Sequence, residues 1–311
     1  MSDGTIRTGV AGAGVFGGYH ANKYAEAEGA TLSAVYDRDE DRAKALAEKH
    51  GVAAFSEYGA FLSEVDALTI AAPATVHAEL AGRALERGKH VLVEKPIAMS
   101  LDGADLVVAM AEEAGLVLQV GHQERYVADA LGLLRRDPPL VVRSRRLNRF
   151  SGRAMDVSVV LDLMIHDLDL LAKLTGTDEA EVLSCEARRE HGTEADEVLV
   201  RLKMAGGVEA ALSASRLASD PTRDLLLSYP AGEVHLDFLT RRTDNSTPEP
   251  LAAALDDTNA PLALRDPLAY GTKGFLRAIR EGTPPPVTGA DGRAALKLAL
   301  LVEEAAKEQL A

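Results

Sequence analysis

Ile6-Arg7-Thr8-Gly9-Val10, followed by Ala11-Gly12-Ala13-Gly14-Val15-Phe16-Gly17, is the stretch that decides the fold. The first five residues read as a short strand, and the sequence Gly17–Glu28 reads as a helix. A second apolar run, Thr31–Tyr36, ends on Asp37, 25 positions beyond Gly12. In such a strand–turn–helix unit the first glycine permits the tight turn and the second lets a pyrophosphate approach the backbone. The third lets the helix pack closely on the sheet. The helix start, together with Val15 and Phe16 just before it, is expected to meet the cofactor, since it offers N–H groups and a positive dipole end to phosphates. Asp37 stands where an acid accepts hydrogen bonds from the adenosine ribose hydroxyls, which favours NAD. Arg38 can accommodate a 2′-phosphate, so NADP is the alternative. The run Asp37-Arg38-Asp39-Glu40-Asp41 must also supply a cap for the helix Glu40–His50, and Asp39 is the expected cap.

Working outward, apolar strands alternate with amphipathic helices to about residue 120. Strands are predicted at Leu32–Tyr36, Val52–Phe55, Ala67–Ile70, His90–Val93 and Val117–Val120. Helices are predicted near Tyr58–Leu62 and over His77–Arg87 and Leu101–Ala114. This alternation predicts a parallel, doubly wound sheet of the Rossmann type over residues 1–121. Beyond Gly121 the strand runs Val141–Phe150, Val182–Arg188, Glu197–Met204, Val208–Ser215, Arg223–Ser228 and Gly232–Leu236 follow one another, with one long helix, roughly Val157–Leu174, after the first. They predict a second domain, 122–311, holding a largely antiparallel open sheet covered by helices on one face. Thr243–Ala263 reads as a loop, and helices at Pro267–Glu281 and Asp291–Gln309 close the chain.

With 34 Lys and Arg against 48 Asp and Glu in 311 residues, the net charge of −14 argues against a general nucleic-acid surface. Cys185 is the lone cysteine, so no disulfide forms within the chain and a reducing compartment is expected. The first residues lack the pattern of a signal peptide, and no apolar run approaches the roughly 20 residues of a membrane span. A cytoplasmic enzyme with no membrane partner is the expectation. Against the acidic balance, Arg135, Arg136, Arg143, Arg145, Arg146, Arg149 and Arg153 cluster within one segment. For most of them an edge strand kept soluble by charge explains the cluster. Arg149 and Arg153, flanking Ser151-Gly152, are equally readable as contacts to a phosphate.

The carboxyl ends of parallel strands are where a doubly wound sheet binds its ligand. Two segments fall there: Ala72-Pro73-Ala74-Thr75-Val76-His77, and Glu94-Lys95-Pro96. Pro96 restrains the backbone at Lys95 and keeps that lysine out of a helix. In the second domain Asp162 and His166 are four residues apart in a predicted helix, hence on one face. The pair offers a base with a carboxylate able to orient it. A solvated-face or capping role competes with that reading. A metal is not expected, because no further His or Cys cluster with ligand spacing accompanies the pair.

Taken together, Gly12–Gly17, Pro73 to His77, Glu94-Lys95-Pro96, Val120-Gly121-His122-Gln123-Glu124-Arg125-Tyr126 and Asp162 to His166 resemble the Gfo/Idh/MocA oxidoreductase family over nearly the whole chain. The tail, Asp266-Pro267-Leu268 through Pro286-Val287-Thr288-Gly289 to Gly292, is similar to that family's closing segment. Gly271 departs from it, since many members carry Glu there. The resemblance implies hydride transfer from a sugar or cyclitol carbon to the nicotinamide. Lys95 would bind the reacting oxygen, His166 would take its proton, and Asp162 would stand nearby; which of Lys95 and His166 is the terminal base differs across the family. It also implies cofactor contacts from Ala72, Pro73, His77, Glu94 and Lys95, and substrate contacts from Lys95, Arg125, Tyr126, Arg149, Arg153, Asp162 and His166.

Within the family, Ser151–Asp169 and Gly121–Tyr126 look most like the branch that oxidises the 3-hydroxyl of UDP-N-acetylglucosamine, ahead of an aminotransferase in lipid A-type pathways. Oxidation of a free polyol, inositol or aldose is the alternative enzyme, and a non-catalytic dinucleotide-sensing regulator the alternative from another class. A sheet covered on only one side leaves a broad face to bury, so a homodimer or homotetramer is expected.

Overall fold

The fold comes from a computed structural model, which describes residues 4–152 and 155–311. The chain forms two compact units. One comprises the residues up to His122 together with Asp266–Arg293, and the other comprises Gln123–Arg265 with Ala294–Ala311. The first of these units is built from two stretches of the chain. Asp266–Arg293 returns to the first unit.

The first unit alternates β1 (Ile6–Ala11), α1 (Val15–Glu26), β2 (Ala30–Tyr36), α2 (Glu40–His50), β3 (Ala53–Phe55), α3 (Tyr58–Ser63), β4 (Ala67–Ile70), α4 (His77–Leu85), β5 (His90–Val93), α5 (Leu101–Ala114) and β6 (Leu118–Val120). The strands are all parallel, in the order β3-β2-β1-β4-β5-β6. Order reverses beside β1, which pairs with β2 on one side and β4 on the other. That is the switch point where a crevice opens at the strand ends. The start of α2 is fixed by a side chain: Asp39 caps it through the N–H groups of Asp41 and Arg42, each 3.1 Å away. Ile6, Val10, Tyr24, Leu32 and Leu92 form a core cluster with Phe275 and Leu276.

In the second unit α6 (Gln123–Ala130) precedes β7 (Val141–Leu147), α7 (Ile165–Thr175), β8 (Ala180–Arg188), β9 (Glu197–Met204), β10 (Glu209–Ser215), β11 (Thr222–Tyr229), β12 (Gly232–Asp237), β13 (Arg242–Asn245) and α8 (Leu262–Arg265). Next comes α9 (Pro267–Glu281) in the first unit; the division between units then falls inside α10 (Gly289–Leu310). The seven strands run β13-β12-β11-β7-β10-β9-β8. All neighbours are antiparallel except β7 and β10, which are parallel.

Three sequence expectations need correction here. β7 is the central strand, not an edge, because β11 and β10 flank it. Its arginines alternate: Arg146 is buried beside Val142 and Ser144, while Arg143 and Arg145 face outward. The long helix predicted from Val157 begins instead as a π-helical turn, Val160–Met164, leading into α7. The loop predicted at Thr243–Ala263 contains most of β13, which Arg242-Thr243-Asp244-Asn245 disguised through its polarity. Among the described residues no helix is long and apolar enough to cross a membrane.

Candidate active site

In the first unit the strand ends carry the motif residues. Gly12 turns the chain at φ +107°, and a Cβ there would lie 2.5 Å from the Ala71 carbonyl oxygen. A Cβ on Gly17 would lie 1.7 Å from the Gly12 carbonyl oxygen, so helix and turn close only on glycine. Gly14 differs, with nothing within 4 Å of its Cβ position and no side chain capping α1. The start of α1 is therefore open, with its first N–H groups free of a side-chain cap. Val15 and Phe16 are 57% and 42% exposed there. Asp37 Oδ2 accepts from the Ala13 N–H at 2.7 Å, and Oδ1 from the Asp39 N–H at 2.9 Å. The acid thus folds the glycine turn against the end of β2, and Arg38 beside it is exposed. An uncapped helix start behind a glycine turn, with an acid at the end of the next strand, fits a dinucleotide.

The loops after β4 and β5 are joined by His77. Its ring is buried, with Nδ1 2.7 Å from the Pro96 carbonyl and Nε2 2.8 Å from the Ala72 carbonyl. Burial lowers its pKa, against the opposing pull of those two carbonyls. Expected as a cofactor contact, His77 instead commits both ring nitrogens to the main chain and holds the two loops in register. Pro73 is exposed, ahead of a one-turn 3-10 helix, and Lys95 is half-buried.

Glu94 ends a buried polar chain that sequence reasoning missed. His20 Nε2 lies 2.8 Å from Glu94 Oε1, and His20 Nδ1 lies 3.4 Å from Thr69 Oγ1. Thr69 in turn meets the Tyr24 hydroxyl at 2.7 Å. Gly121 lets Glu94 close down, since a Cβ there would be 2.8 Å from Glu94 Oε2. The available signal was the burial-compatible spacing of His20 and Tyr24, one helical turn apart on α1.

In the second unit α6 buries Glu124, Arg125 and Tyr126 in succession. Glu124 is a hub. Its Oε1 accepts from Arg146 Nη1 at 3.2 Å and from Arg223, while Oε2 is 2.8 Å from His166 Nδ1. Arg146 also makes a two-pronged pair with Asp167, at 2.7 and 2.9 Å. Arg125 pairs with Asp169, its Nε at 3.0 Å. Three carboxylates, Glu124, Asp167 and Asp169, are balanced by three guanidinium groups, Arg125, Arg146 and Arg223. Buried charges require such pairing. His166 and Asp162 are both partly exposed.

Two expected substrate contacts sit in this interior. Arg125 and Tyr126 are each 3% exposed, so neither presents surface to a ligand in this structure. Arg149 is exposed, donates from Nε to the Ser219 carbonyl at 2.5 Å and lies 3.5 Å from Asp220. Arg153 lies outside the described residues. Among those residues no group of three or more His, Cys, Asp or Glu side chains is arranged to hold a metal.

Comparison with known proteins follows the same division. The family described as "Oxidoreductase family, NAD-binding Rossmann fold" matches residues 6–122, and the "GFO/IDH/MocA C-terminal domain" matches residues 134–235. UDP-N-acetylglucosamine 3-dehydrogenase of Acidithiobacillus ferrooxidans is 34% identical over 307 residues, covering 96% of this chain and 97% of that protein. Its solved structure superposes with a TM-score of 0.86 at 33% identity, covering 99% of each chain. Myo-inositol 2-dehydrogenase of Thermotoga maritima is 26% identical over 333 residues, covering 98% of this chain and 96% of that protein.

Proposed function

From the premise that the chain belongs to the GFO/IDH/MocA family of NAD-binding oxidoreductases, we propose that it oxidises the 3-hydroxyl of UDP-N-acetylglucosamine to a 3-keto nucleotide sugar. The observation that carries the substrate is the 34% identity, end to end, with an enzyme named for that reaction; the inositol relative stands at 26%. A further observation favours a nucleotide. Phe150 is 44% exposed and stacks on His191 at 3.8 Å, next in sequence to the exposed Arg149. A flat apolar ring suits a base, and a guanidinium suits a diphosphate.

In the first unit Gly12, Gly14 and Gly17 with the start of α1 would cradle the pyrophosphate, and Asp37 would take the ribose hydroxyls, with Arg38, Ala72 and Pro73 along the same strand ends. NAD, when bound, supplies the acceptor for the hydride that leaves the sugar carbon. His166 takes the hydroxyl proton, and the Lys95 ammonium stabilises the alkoxide as charge develops on oxygen. Asp162 supports that chemistry from the π-helical turn. Glu94, fixed by His20, holds the backbone from which Lys95 projects. The product ketone is the electrophile that an amine-transferring enzyme consumes, the order of steps in lipid A-type biosynthesis in the cytoplasm.

We also propose self-association through the outward face of the second sheet. Arg143, Arg145 and Arg201 alternate there with Glu186 and Asp224 around Leu199 and Leu226, lining a depression of about 550 Å³. A face carrying both signs of charge and exposed leucine can complement a second copy of itself.

The test is to mix the protein with NAD and UDP-N-acetylglucosamine, beside myo-inositol and glucose, and follow NADH absorbance. Turnover of the UDP-sugar alone is expected. Turnover of a free polyol alone would keep the fold and overturn the nucleotide-sugar assignment.

A further inference from the structure

We propose that His20 is a positioning residue for Glu94 and for the Lys95 that follows it. Its Nε2–H donates to the Glu94 carboxylate as the last link of a one-way hydrogen-bond chain that begins at the Tyr24 hydroxyl. This role rests on the reading of Lys95 as the group that stabilises the alkoxide.

The count of protons sets the direction. Three contacts join the four side chains: Tyr24 hydroxyl to Thr69 Oγ1 at 2.7 Å, Thr69 Oγ1 to His20 Nδ1 at 3.4 Å, and His20 Nε2 to Glu94 Oε1 at 2.8 Å. None of the four residues is more than 7% exposed. Burial raises the pKa of Tyr24, so it stays a phenol with a proton to donate. Among the described residues, Thr69 Oγ1 is the one hydrogen-bond partner of that hydroxyl. When Tyr24 donates to Thr69, the single hydroxyl proton of Thr69 goes on to His20 Nδ1, which accepts it as a bare nitrogen. A neutral imidazole then carries its own proton on Nε2, where Glu94 accepts it. Every proton has an acceptor. In the reverse direction Nδ1–H donates to Thr69 and Thr69 to Tyr24, and the phenol proton is stranded in a buried site. Native interiors avoid that arrangement.

The chain ties together the parts on which hydride transfer depends. His20 and Tyr24 stand one turn apart on α1, whose start is expected to hold the pyrophosphate. Thr69 belongs to β4, and Glu94 directly follows β5. Gly121 bounds the carboxylate elsewhere, since a Cβ there would lie 2.8 Å from Glu94 Oε2. With its carboxylate anchored to α1, Glu94 fixes where the backbone presents Lys95. A misplacement of about 1 Å at a reacting group can cost about 10²-fold in rate.

Two substitutions separate a positioned donor from filled space. The amide of His20→Gln reaches the place of Nε2 and donates to Glu94. The shorter amide of His20→Asn reaches only the place of Nδ1 and leaves Glu94 without that donor.

The first measurement is the imidazole 15N spectrum of histidine-labelled protein, at a pH where the ring is neutral, with His20 assigned by the signal that His20→Gln removes. A proton on Nε2 is expected, and a proton on Nδ1 would overturn the proposal. Thr69→Val removes the donor to Nδ1, so the Nδ1 resonance should move; an unmoved resonance in the folded variant would also overturn it. In kinetics with NAD and UDP-N-acetylglucosamine, His20→Asn is expected to lower kcat by about 10–10²-fold and His20→Gln by no more than about threefold. Equal kcat in the two folded variants would remove the positioning role. Should the variants fail to fold, the wild-type spectrum decides alone. The spectrum needs no substrate, so it stands apart from the assignment of the reaction. A protein that oxidises no sugar but shows Nε2–H on His20 keeps the chain to Glu94 and loses the function.

Discussion

The two units build their functional ends from different materials. The first works chiefly with main chain: a turn at Gly12, an uncapped helix start at Gly14 and carbonyls gathered by His77. The second works with side-chain charge, as Glu124, Arg125, Arg146, Asp167 and Asp169 form buried ion pairs, joined by the part-exposed Arg223, and Glu124 lies 2.8 Å from His166. Main-chain geometry offers the same N–H groups to any pyrophosphate. A side-chain network can be rewired residue by residue. On the function proposed above, binding of a common cofactor and selection of a particular substrate would draw on different chemistry.

The sharpest way to break this contrast is at the glycines. Gly17→Ala forces a Cβ into the Gly12 carbonyl, and a loss of fold or of all NADH binding is expected, read by NADH fluorescence titration and thermal unfolding. Gly14→Ala meets open space, so the fold should stay intact while NADH affinity falls by roughly tenfold through lost approach to the phosphates. Equal effects of the two substitutions would contradict the main-chain account of the first unit.

For the second unit the equivalent probe is Asp169→Asn. It leaves Arg125 buried against a neutral partner and should cost about 3–5 kcal/mol in denaturant unfolding. Asp66→Asn, which breaks the exposed pair with Arg7 in the first unit, should cost no more than about 1 kcal/mol. A similar small loss at both sites would show that the buried charges of the second unit are not what holds it.

Cofactor choice gives a smaller effect. Asp37→Ser removes the carboxylate beside Arg38, and the ratio of NADP to NAD turnover should rise about tenfold. A ratio that does not move would detach Asp37 from the ribose and leave it only its bonds to Ala13 and Asp39.

The smallest effects concern pH and run in opposite directions in the two units. Burial raises the carboxyl of Glu303, which Ser158 hydrogen-bonds, above its ordinary 4.5. Its contribution is full below 4.5 and is lost as pH rises through the raised value. Burial lowers the ring of His77 below 6.5, so its contribution is present above 6.5 and lost as pH falls through the lowered value. Glu303→Gln should flatten the decline of stability on the alkaline side, and His77→Gln the decline on the acid side. Urea unfolding across pH checks both.

The same contrast explains what the sequence made legible. The glycine turn, the first helix and the acid ending β2 lie within one stretch of chain, so spacing alone located them. α9 was bounded as Pro267–Glu281 because Asp266 caps it and Pro267 starts it. Glu124 escaped attention because its partners are 22 and 99 residues away and only strand order brings them together. β7 read as a charged edge because Arg143 and Arg145 hid the burial of Arg146. The π-helical turn before α7 left no mark in the apolar periodicity, and β7–β10 pairing in parallel has no local signature. Short-range geometry was readable, and long-range charge pairing was not.

The central claim is that the first unit binds the dinucleotide while the second supplies the base. The most direct measurement is His166→Ala, assayed side by side for NADH affinity and for turnover of UDP-N-acetylglucosamine. The predicted result is NADH binding within about twofold of wild type, with kcat reduced by about 10²–10⁴-fold. Retained turnover, or lost NADH binding in a folded variant, would contradict the division of labour.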